Sequence, residues 1–294
     1  MRLTIQNLSK TYSNGVRALK EVNLNIGKGM FGLLGQNGAG KSTLMRTIAT
    51  LQEADSGRIT FGDIDLSQAP ERLRQTLGYL PQEFGVYPTD SAYELLLHIA
   101  DLKGITRLGE RKDQVEALLR KVNLWEARHK KLGTYSGGMK QRFGIAQALL
   151  GNPELIIVDA PTAGLDPTER NRFYNLLSEL GEEAVVILSS HIVEDISILC
   201  ADMAIIGRGE VLLSGKTDAL RNALRGRLYE TTIHKEELET VAQRYKLISQ
   251  RFFIGRLMIT VVADELPDER FSAKRPSLED LYFNELYDRK MLEL

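Results

Sequence analysis

The residues best suited to chemistry begin with a carboxylate at the end of an apolar segment. Leu155–Val158 is an uninterrupted aliphatic run, Asp159 closes it, and Ala160 follows. Such a run is typical of a central strand in a parallel sheet, whose C-terminal end faces the crevice where these sheets bind ligands. The methyl group of Ala160 can neither accept a proton nor orient a water molecule, so Asp159 is the only one of the two that can act on a ligand.

A phosphate-binding loop occurs earlier in the chain. Residues 35–42 read Gly-Gln-Asn-Gly-Ala-Gly-Lys-Ser, fit the pattern G-x-x-x-x-G-K-[ST], and lie between an apolar strand at 30–34 and a predicted helix from Thr43. Glycines let backbone N–H groups turn towards a polyphosphate at the start of the helix. Lys41 can reach the terminal phosphates, and the Ser42 hydroxyl suits Mg²⁺.

Composition narrows the class of protein. The 294 residues are 43% hydrophobic and 26% charged, and 38 basic against 39 acidic side chains leave a net charge of −1. No global field therefore favours nucleic acid or an anionic membrane surface. The single cysteine, Cys200, excludes an intrachain disulfide framework and suits a reducing compartment, although apolar packing explains it equally well. The N-terminus has no secretory apolar core, and no apolar run approaches the ~20 residues of a membrane helix.

Hydrophobic periodicity divides the chain into regions of different character. Short strands with a turn at Ser13–Gly15 fill the first 30 residues, strand Arg58–Phe61 continues this pattern, and helical periodicity occupies about 92–122. Strands and helices then alternate, which predicts a parallel sheet: helix 138–150, strand 155–158, helix 167–180, strand 184–189, helix 192–199 and strand 203–206. Beyond 215 the pattern changes to strand 228–233, helix 235–245, strands 249–254 and 256–262, and a closing helix from Leu278. Ser277 is predicted to cap that helix, with Asp280 at its third position.

Four further segments gain meaning from their order. They are Gln82 after Tyr79-Leu-Pro, Tyr135-Ser-Gly-Gly-Met139 at the start of a helix, Ala163-Gly-Leu-Asp166 after the Asp159 strand, and His191 after the strand at 184–189. With the phosphate loop, this order resembles the nucleotide-binding subunit of an ATP-binding cassette (ABC) transporter over about residues 3–216. The resemblance implies an α/β fold: a P-loop ATPase core with an antiparallel β subdomain, an inserted helical subdomain at about 85–150, and a small C-terminal α+β appendage. The implied domains are 1–219, the ABC ATPase domain, and 220–294, an accessory domain.

The resemblance also implies roles for individual residues. Two subunits pair head to tail, so that each ATP lies between the phosphate loop of one and the signature segment of the other. Tyr12 would stack on adenine with Val16 beside it, although a half-buried strand aromatic is the alternative for Tyr12. The implied nucleotide contacts are Tyr12, Val16, Asn37, Gly38, Gly40, Lys41, Ser42, Thr43, Ser136, Gly137 and Gly138. The implied Mg²⁺ contacts are Ser42, Gln82 and Asp159, and the implied catalytic positions are Gln82, Ala160, Asp166 and His191. Ser136 is also explained as a simple helix N-cap.

Ala160 departs from the family pattern, which has a glutamate that polarises the attacking water. Three hypotheses explain it: an engineered substitution that traps the ATP-bound dimer, a naturally degenerate subunit, or another group that supplies the missing role. The first is favoured, because a site that had drifted would have lost several of its other residues. Loss of a water-positioning group slows hydrolysis by on the order of 10² to 10⁴ and leaves binding largely intact.

The signature at 135–139 and the run Pro276–Tyr282 resemble the ATPase subunits of ABC-2 type exporters. That branch implies a homodimer or heterodimer of ATPase subunits, a separate transmembrane permease, a peripheral position on the cytoplasmic face of the cell membrane, and no nucleic acid partner. Phe84, Val86, Tyr87, Leu95 and Leu96 are predicted either to line a cleft for a partner helix or to form the core of the helical insert. The alternatives are a soluble non-transport ABC ATPase, a regulatory subunit that does not hydrolyse ATP, and, disfavoured by the signature, a small-molecule P-loop kinase.

Overall fold

The computed structural model describes residues 1–82, 84–161 and 165–292. Its contacts divide the chain into two compact units, Met1–Val211 and Leu212–Leu294. That division falls within a strand, a few residues before the boundary that the sequence placed at 219/220.

The elements follow in chain order. They are β1 (Leu3–Thr11), β2 (Arg17–Ile26), β3 (Gly29–Leu34), α1 (Lys41–Ile48), β4 (Ser56–Phe61), β5 (Ile64–Asp65), α2 (Pro70–Thr76), β6 (Leu77–Leu80), α3 (Ala92–Leu102), α4 (Leu108–Lys121), α5 (Gly137–Leu149), β7 (Leu155–Asp159), α6 (Pro167–Gly181), β8 (Val185–Ser190), α7 (Val193–Leu199), β9 (Asp202–Gly207), β10 (Glu210–Lys216), α8 (Thr217–Asn222), β11 (Leu228–Ile233), α9 (Leu238–Arg244), β12 (Lys246–Phe253), β13 (Arg256–Val262), β14 (Ser272–Ala273) and α10 (Leu278–Asp288).

The first unit contains two sheets. One has the order β2-β1-β4-β5 and is antiparallel throughout, as the alternating N-terminal pattern predicts. The other has the order β10-β9-β3-β8-β7-β6, in which β3 pairs in parallel with β8 and β9, and β7 with β6 and β8. Every residue of β7 and β8 is buried, which explains why both read as continuous apolar runs.

Register brings three strand ends of the parallel sheet together. Leu34 is the Cα partner of Ser190, and Ser189 is the partner of Asp159. The phosphate loop follows β3, Ala160 follows β7 and His191 follows β8. These segments therefore leave the sheet at the same edge, where parallel sheets bind ligands.

The helical insert lies between β6 and β7. Ser91 begins α3 with a capping box, in which its side chain accepts from the Glu94 N–H and Glu94 accepts from the Ser91 N–H. Leu95 and Leu96 are buried, so they belong to the core of the insert rather than to an open cleft, whereas Tyr87 is exposed.

The second unit is an α+β element whose sheet has the order β12-β13-β11-β14. Its small core is formed by Ile233, Val241, Leu247, Leu257, Ile259, Val261 and Phe271. Ser277 caps α10 and Asp280 completes the capping box, which confirms that prediction. The helix predicted at 235–245 is instead a 3₁₀ turn at Lys235–Glu237 followed by α9. Among the described residues, no helix is both long and apolar enough to cross a membrane.

Candidate functional site

A cleft of about 650 Å³ opens at the edge of the first unit where β3, β7 and β8 end. Its lining residues are Tyr12, Gly15, Val16, Arg17, Ala18, Lys20, Asn37, Gly38, Gly40, Lys41, Ser42, Thr43, Gln82, Asp159, Ala160, His191 and Arg208. Six separate segments of the chain thus converge on one cavity. The sequence motifs do not single out Arg17, Lys20 and Arg208, because their positions follow only from the packing of β2 and the turn after β9.

The phosphate loop runs from the end of β3 to the first turn of α1. Gly40 precedes α1 with a φ of 108°, and a Cβ at this position would clash with the carbonyl oxygen of Ala18. Only glycine fits this backbone without displacing β2. The first N–H groups of a helix have no partner within it, so the start of α1 offers donors and a positive dipole end to an anion.

Lys41 lies over this loop. Its Nζ donates to the carbonyl oxygens of Gly35, at 2.7 Å, and Gln36, at 2.9 Å. Burial lowers the pKa of Lys41 from 10.5, and the nearby Asp159 carboxylate opposes that shift. A bound phosphate would replace carbonyl dipoles with a full negative charge, so the loop holds this ammonium group ready for an anion.

Oxygen donors suited to Mg²⁺ lie around the same edge. Asp159 is buried at the end of β7, and the Ser42 hydroxyl and the Gln82 amide share the cleft with it. Among the residues that the structure describes, no three His, Cys, Asp or Glu side chains are grouped to hold a metal on their own. This sparse set fits Mg²⁺, which proteins usually hold through one or two carboxylates together with phosphate oxygens and water.

Ala160 lines the cleft next to Asp159. Its N–H donates to the carbonyl oxygen of Ser189, at 3.0 Å, and its φ is 46°. The backbone here is left-handed, an uncommon conformation for a residue other than glycine. Residue 160 is thus fixed at the mouth of the site, with only a methyl group to present.

A buried network supports the turn that carries His191. Ser190 Oγ donates to Asp195, at 2.8 Å, and accepts from the Ile192 N–H, at 2.9 Å. Tyr174 donates to the other Asp195 oxygen, at 2.5 Å. Burial and this hydrogen bond raise the pKa of Tyr174. Sequence reasoning missed the network, because its members are separated along the chain and match no motif.

Tyr12 reaches the phosphate loop through its hydroxyl group. The phenol oxygen lies 3.1 Å from Thr43 Oγ1 and donates to Gln52 Oε1 at 3.2 Å. Gln52 in turn donates to the Thr43 carbonyl oxygen and to Thr47 Oγ1, both at 2.9 Å. Val16, the proposed neighbour of adenine, also lines the cleft and is exposed. No motif in the sequence singles out Gln52.

The signature residues lie elsewhere. Among the described residues, Ser136, Gly137, Gly138 and Asp166 do not line the cleft. Ser136 caps α5 by accepting from the Met139 N–H, at 3.2 Å, and Asp166 caps α6 by accepting from the Glu169 N–H, at 2.9 Å. Arg142 of α5 pairs with Glu169 of α6 and links the two helix starts. Ala163 and Gly164 of the neighbouring motif lie outside the described residues.

Known proteins are similar to this chain in sequence. A family profile described as "ABC transporter" matches residues 19–163. The linearmycin resistance ATP-binding protein LnrL of Bacillus subtilis (strain 168) is 33% identical over 310 residues, which span 96% of this chain and 97% of the relative. The chain belongs to the ABC transporter family. The daunorubicin/doxorubicin resistance ATP-binding protein DrrA of Streptomyces peucetius is 32% identical over 239 residues, 81% of this chain and 72% of that protein.

Solved ABC structures match the same fold. An ATP-binding subunit of an ABC transporter has a TM-score of 0.68 and 29% identity, and the match covers 76% of this chain and 93% of the other. A dimeric ATP-binding cassette in a post-hydrolysis state, bound to ADP and Pi, has a TM-score of 0.66 and 28% identity over 73% of this chain and 98% of the other. This chain is an ABC ATP-binding subunit with the P-loop ATPase core and the β and helical subdomains that the sequence predicts.

Proposed function

We propose that this ABC subunit binds Mg-ATP in the cleft, closes on a second ATPase subunit, and hydrolyses ATP slowly because Ala160 stands where a glutamate would position water. The supporting observation is that Lys41, Ser42, Gln82, Asp159 and His191 share one cleft with Ala160. The groups that one chain by itself offers to Mg-ATP are together, and one group needed for hydrolysis is missing.

Binding uses the two ends of the cleft differently. Tyr12 offers its ring to adenine, and Val16 covers one side of the base. Asn37, Gly38, Gly40 and Thr43 present the phosphate loop and the start of α1 to the phosphates. Lys41 exchanges its bonds to Gly35 and Gln36 for bonds to the terminal phosphates.

Ser42, Gln82 and Asp159 form the side of the cleft that would hold Mg²⁺. When bound, Mg²⁺ neutralises charge that develops on the β- and γ-phosphate oxygens during phosphoryl transfer. Asp159 would hold Mg²⁺ through its buried carboxylate at the end of β7. Gln82 would contact the same ion and connect it to the helical insert. These residues bind and orient; none of them replaces the missing base.

His191 and residue 160 face the position of the γ-phosphate. His191 donates a hydrogen bond to that phosphate, and the Ser190–Asp195 network holds its turn in place. At residue 160 the methyl group leaves the attacking water without a proton acceptor, which slows hydrolysis by on the order of 10² to 10⁴. The intact remainder of the site supports an isolated change at this position, the engineered trap, over gradual degeneration.

A second subunit completes the site. Ser136, Gly137 and Gly138 begin α5 away from the cleft of their own chain, which suits contact with an ATP held by a partner chain. Asp166, at the start of α6, likewise does not line the cleft of its own chain, and it serves the contact between subunits.

The cellular role follows from the relatives. LnrL and DrrA are named as drug-resistance ATP-binding proteins, which supports an ABC-2 type exporter subunit. Dimer closure would then act on a separate transmembrane permease, and the chain would lie at the cytoplasmic face of the cell membrane.

Equilibrium dialysis and sedimentation test this function. With Mg-ATP, the chain is expected to retain nucleotide and to form an ATP-dependent contact between subunits that persists for hours, whereas Mg-ADP does not induce that contact. Dimers that decay within minutes with release of ADP would contradict impaired hydrolysis. Failure to bind ATP at millimolar concentration would overturn the whole proposal. Copurification of a permease from membranes tests the exporter assignment.

A further inference from the structure

The hairpin between β12 and β13 carries an exposed apolar tip. Phe252, Phe253 and Ile254 are 72%, 50% and 87% exposed, and they are consecutive. Arg251 precedes them and Arg256 follows the turn, so the apolar tip is bracketed by two positive charges. Single exposed apolar residues are ordinary, but a contiguous group with a charged rim marks an interaction surface.

The turn itself is unsuited to the residue that occupies it. Phe253 pairs with Arg256 across a two-residue loop, in which Ile254 has a φ of 46° and Gly255 a φ of 75°. Two-residue loops with both φ values positive favour Asn-Gly or Asp-Gly. A β-branched residue is strained there, and such local conflicts concentrate at functional sites. The requirements of the hairpin turn therefore do not explain why an isoleucine occupies position 254.

An acidic segment lies at the other end of the same strands. Residues 264–269 read Asp-Glu-Leu-Pro-Asp-Glu, and Leu266 is 53% exposed. Asp264 pairs with Arg227 and Asp268 with Arg270, so Glu265 and Glu269 are the carboxylates that the segment offers to a partner. Val262 is the Cα partner of Lys246, and the Tyr245 hydroxyl donates to the carbonyl oxygen of Pro267, at 3.2 Å. The segment is thus held beside the first residue of β12, while the basic tip follows its last residue.

β12 is an edge strand of its sheet. Its register with β13 is regular from Ser249 to Phe253, and its one irregularity falls between Leu247 and Ser249. Edge strands present a row of backbone donors and acceptors to another strand, and bulges discourage such pairing. The regular half of β12 is the half that leads into the apolar tip.

We propose that β12 pairs antiparallel with β12 of a second copy of this chain about a two-fold axis. Antiparallel strands run in opposite directions, so the tip of each copy lies against the acidic segment of the other. Arg251 and Arg256 then face Glu265 and Glu269, and Ile254 and the phenyl rings meet Leu266. The contact occurs twice in each dimer.

Charge decides between this partner and a lipid surface. An anionic membrane would attract the two arginines and repel the acidic segment, leaving Leu266 unused. A second copy of the chain pairs with both the basic tip and the acidic segment, because each copy carries one of each. The two surfaces of opposite charge that this contact needs are therefore both present on one chain.

This contact rests on the proposed function in one respect: its partner is a second ATPase subunit. The contact identifies that subunit as another copy of the same chain. It requires no nucleotide, whereas closure over ATP does. Sedimentation velocity of the full chain in EDTA without nucleotide therefore isolates it, and ATP binding to the chain is measured separately. If ATP fails to bind while the nucleotide-free dimer persists, the proposed function fails and this inference stands.

A charge exchange gives the sharpest test. One variant carries Arg251→Glu and Arg256→Glu, and the other carries Glu265→Arg and Glu269→Arg. Each alone brings like charges together at both contacts, so each dimer dissociates at least tenfold more readily than the unchanged chain. Mixed in equal amounts they are expected to form a heterodimer, because both contacts are again between opposite charges. Absence of that heterodimer overturns the proposal.

Ile254→Asn separates association from folding. Asn-Gly suits the turn, so the melting temperature is expected to hold or rise while dimer dissociation increases at least tenfold. Leu102→Ser, at an exposed apolar position of the other unit, is the matched control and leaves the dimer unchanged. A chain that is monomeric at about 50 µM without nucleotide contradicts the proposal, as does binding of the Ile254 tip to anionic vesicles without self-association.

Discussion

The phenol oxygen of Tyr12 lies 3.1 Å from the hydroxyl oxygen of Thr43, which joins the aromatic ahead of the phosphate loop to the helix behind it. Gln52 reinforces this connection, because it accepts a hydrogen bond from Tyr12 and donates one to the Thr43 carbonyl oxygen. The Tyr12 ring, which is proposed to bind the base, is thereby held in place relative to the phosphate loop. This relationship makes the base-binding end of the cleft testable apart from the phosphate-binding end.

Removing the Tyr12 hydroxyl should weaken ATP binding without affecting phosphate binding. A hydrogen bond of this kind contributes about 0.5–1.5 kcal/mol, so Tyr12→Phe and Gln52→Leu should each weaken ATP about two- to tenfold. Tyr12→Ala, which also loses the ring, should weaken it more, by about 1–3 kcal/mol. Calorimetry with ATP and with tripolyphosphate distinguishes the two ends. Equal losses for both ligands would show that Tyr12 supports the loop rather than the base.

Lys41→Met should weaken ATP binding without lowering stability. Hydrogen bonds to charged groups are worth about 1.5–3 kcal/mol, which predicts roughly a tenfold to hundredfold weaker complex. Because burial lowers the folded pKa of Lys41 below 10.5, its protonated form disfavours the folded state at neutral pH, and this penalty fades as pH rises towards 10.5. Methionine carries no such penalty, so its melting temperature at pH 7 should not fall.

The same group predicts a pH dependence. Lys41 binds phosphate only when protonated, so ATP affinity should decline as pH rises, and the decline should begin below the usual lysine range. Titration of affinity between pH 7 and pH 10 measures it, with Lys41→Met as the pH-insensitive control. Unchanged affinity across that range would mean that the phosphates rest on the backbone alone.

Asp159→Asn should separate nucleotide binding from metal dependence. An amide cannot neutralise Mg²⁺, so the variant should bind ATP about equally with Mg²⁺ and with EDTA. The unchanged chain should bind Mg-ATP more tightly than ATP in EDTA. Equilibrium dialysis under both conditions compares them, and identical metal dependence in the two proteins would remove Asp159 from the metal site.

Ser136→Ala should act in two distinguishable ways. Loss of its bond to the Met139 N–H removes an N-cap, which costs about 1 kcal/mol of stability in urea unfolding. ATP binding by the dilute monomer should be unchanged, because Ser136 lies away from the cleft of its own chain. ATP-driven dimerisation should weaken. If only the cap energy changes, Ser136 has no role at the partner's nucleotide.

Sequence reasoning succeeded where a local pattern carries the information. The strand ending at Asp159, the loop around Lys41 and the cap at Ser277 each have a signature within a few residues, and the structure has all three. The convergence of Gln82 and His191 on one cleft could be anticipated only through the family resemblance, since the two residues leave strands that are far apart in sequence.

The features that the sequence did not predict depend on how side chains pack in the folded protein. Asp195 is hydrogen-bonded to Ser190 and Tyr174, but as one acid in a short helix it is indistinguishable from a solvated residue. Leu95 and Leu96 have helical spacing whether they face a core or a cleft, and only the packed insert decides for the core. The helix predicted from residue 235 starts as a 3₁₀ turn, because helix ends carry weak signals.

ATP turnover of Ala160→Glu tests the central claim most directly. The glutamate restores a proton acceptor beside Asp159, so turnover should rise by on the order of 10² to 10⁴ over the unchanged chain. Ala160→Gln, which has nearly the same shape and no basic carboxylate, should stay slow. The ATP-bound dimer of the glutamate variant should correspondingly become short-lived. A glutamate variant that binds ATP and dimerises, yet turns over no faster than the Ala160 chain with its permease present, would contradict the account.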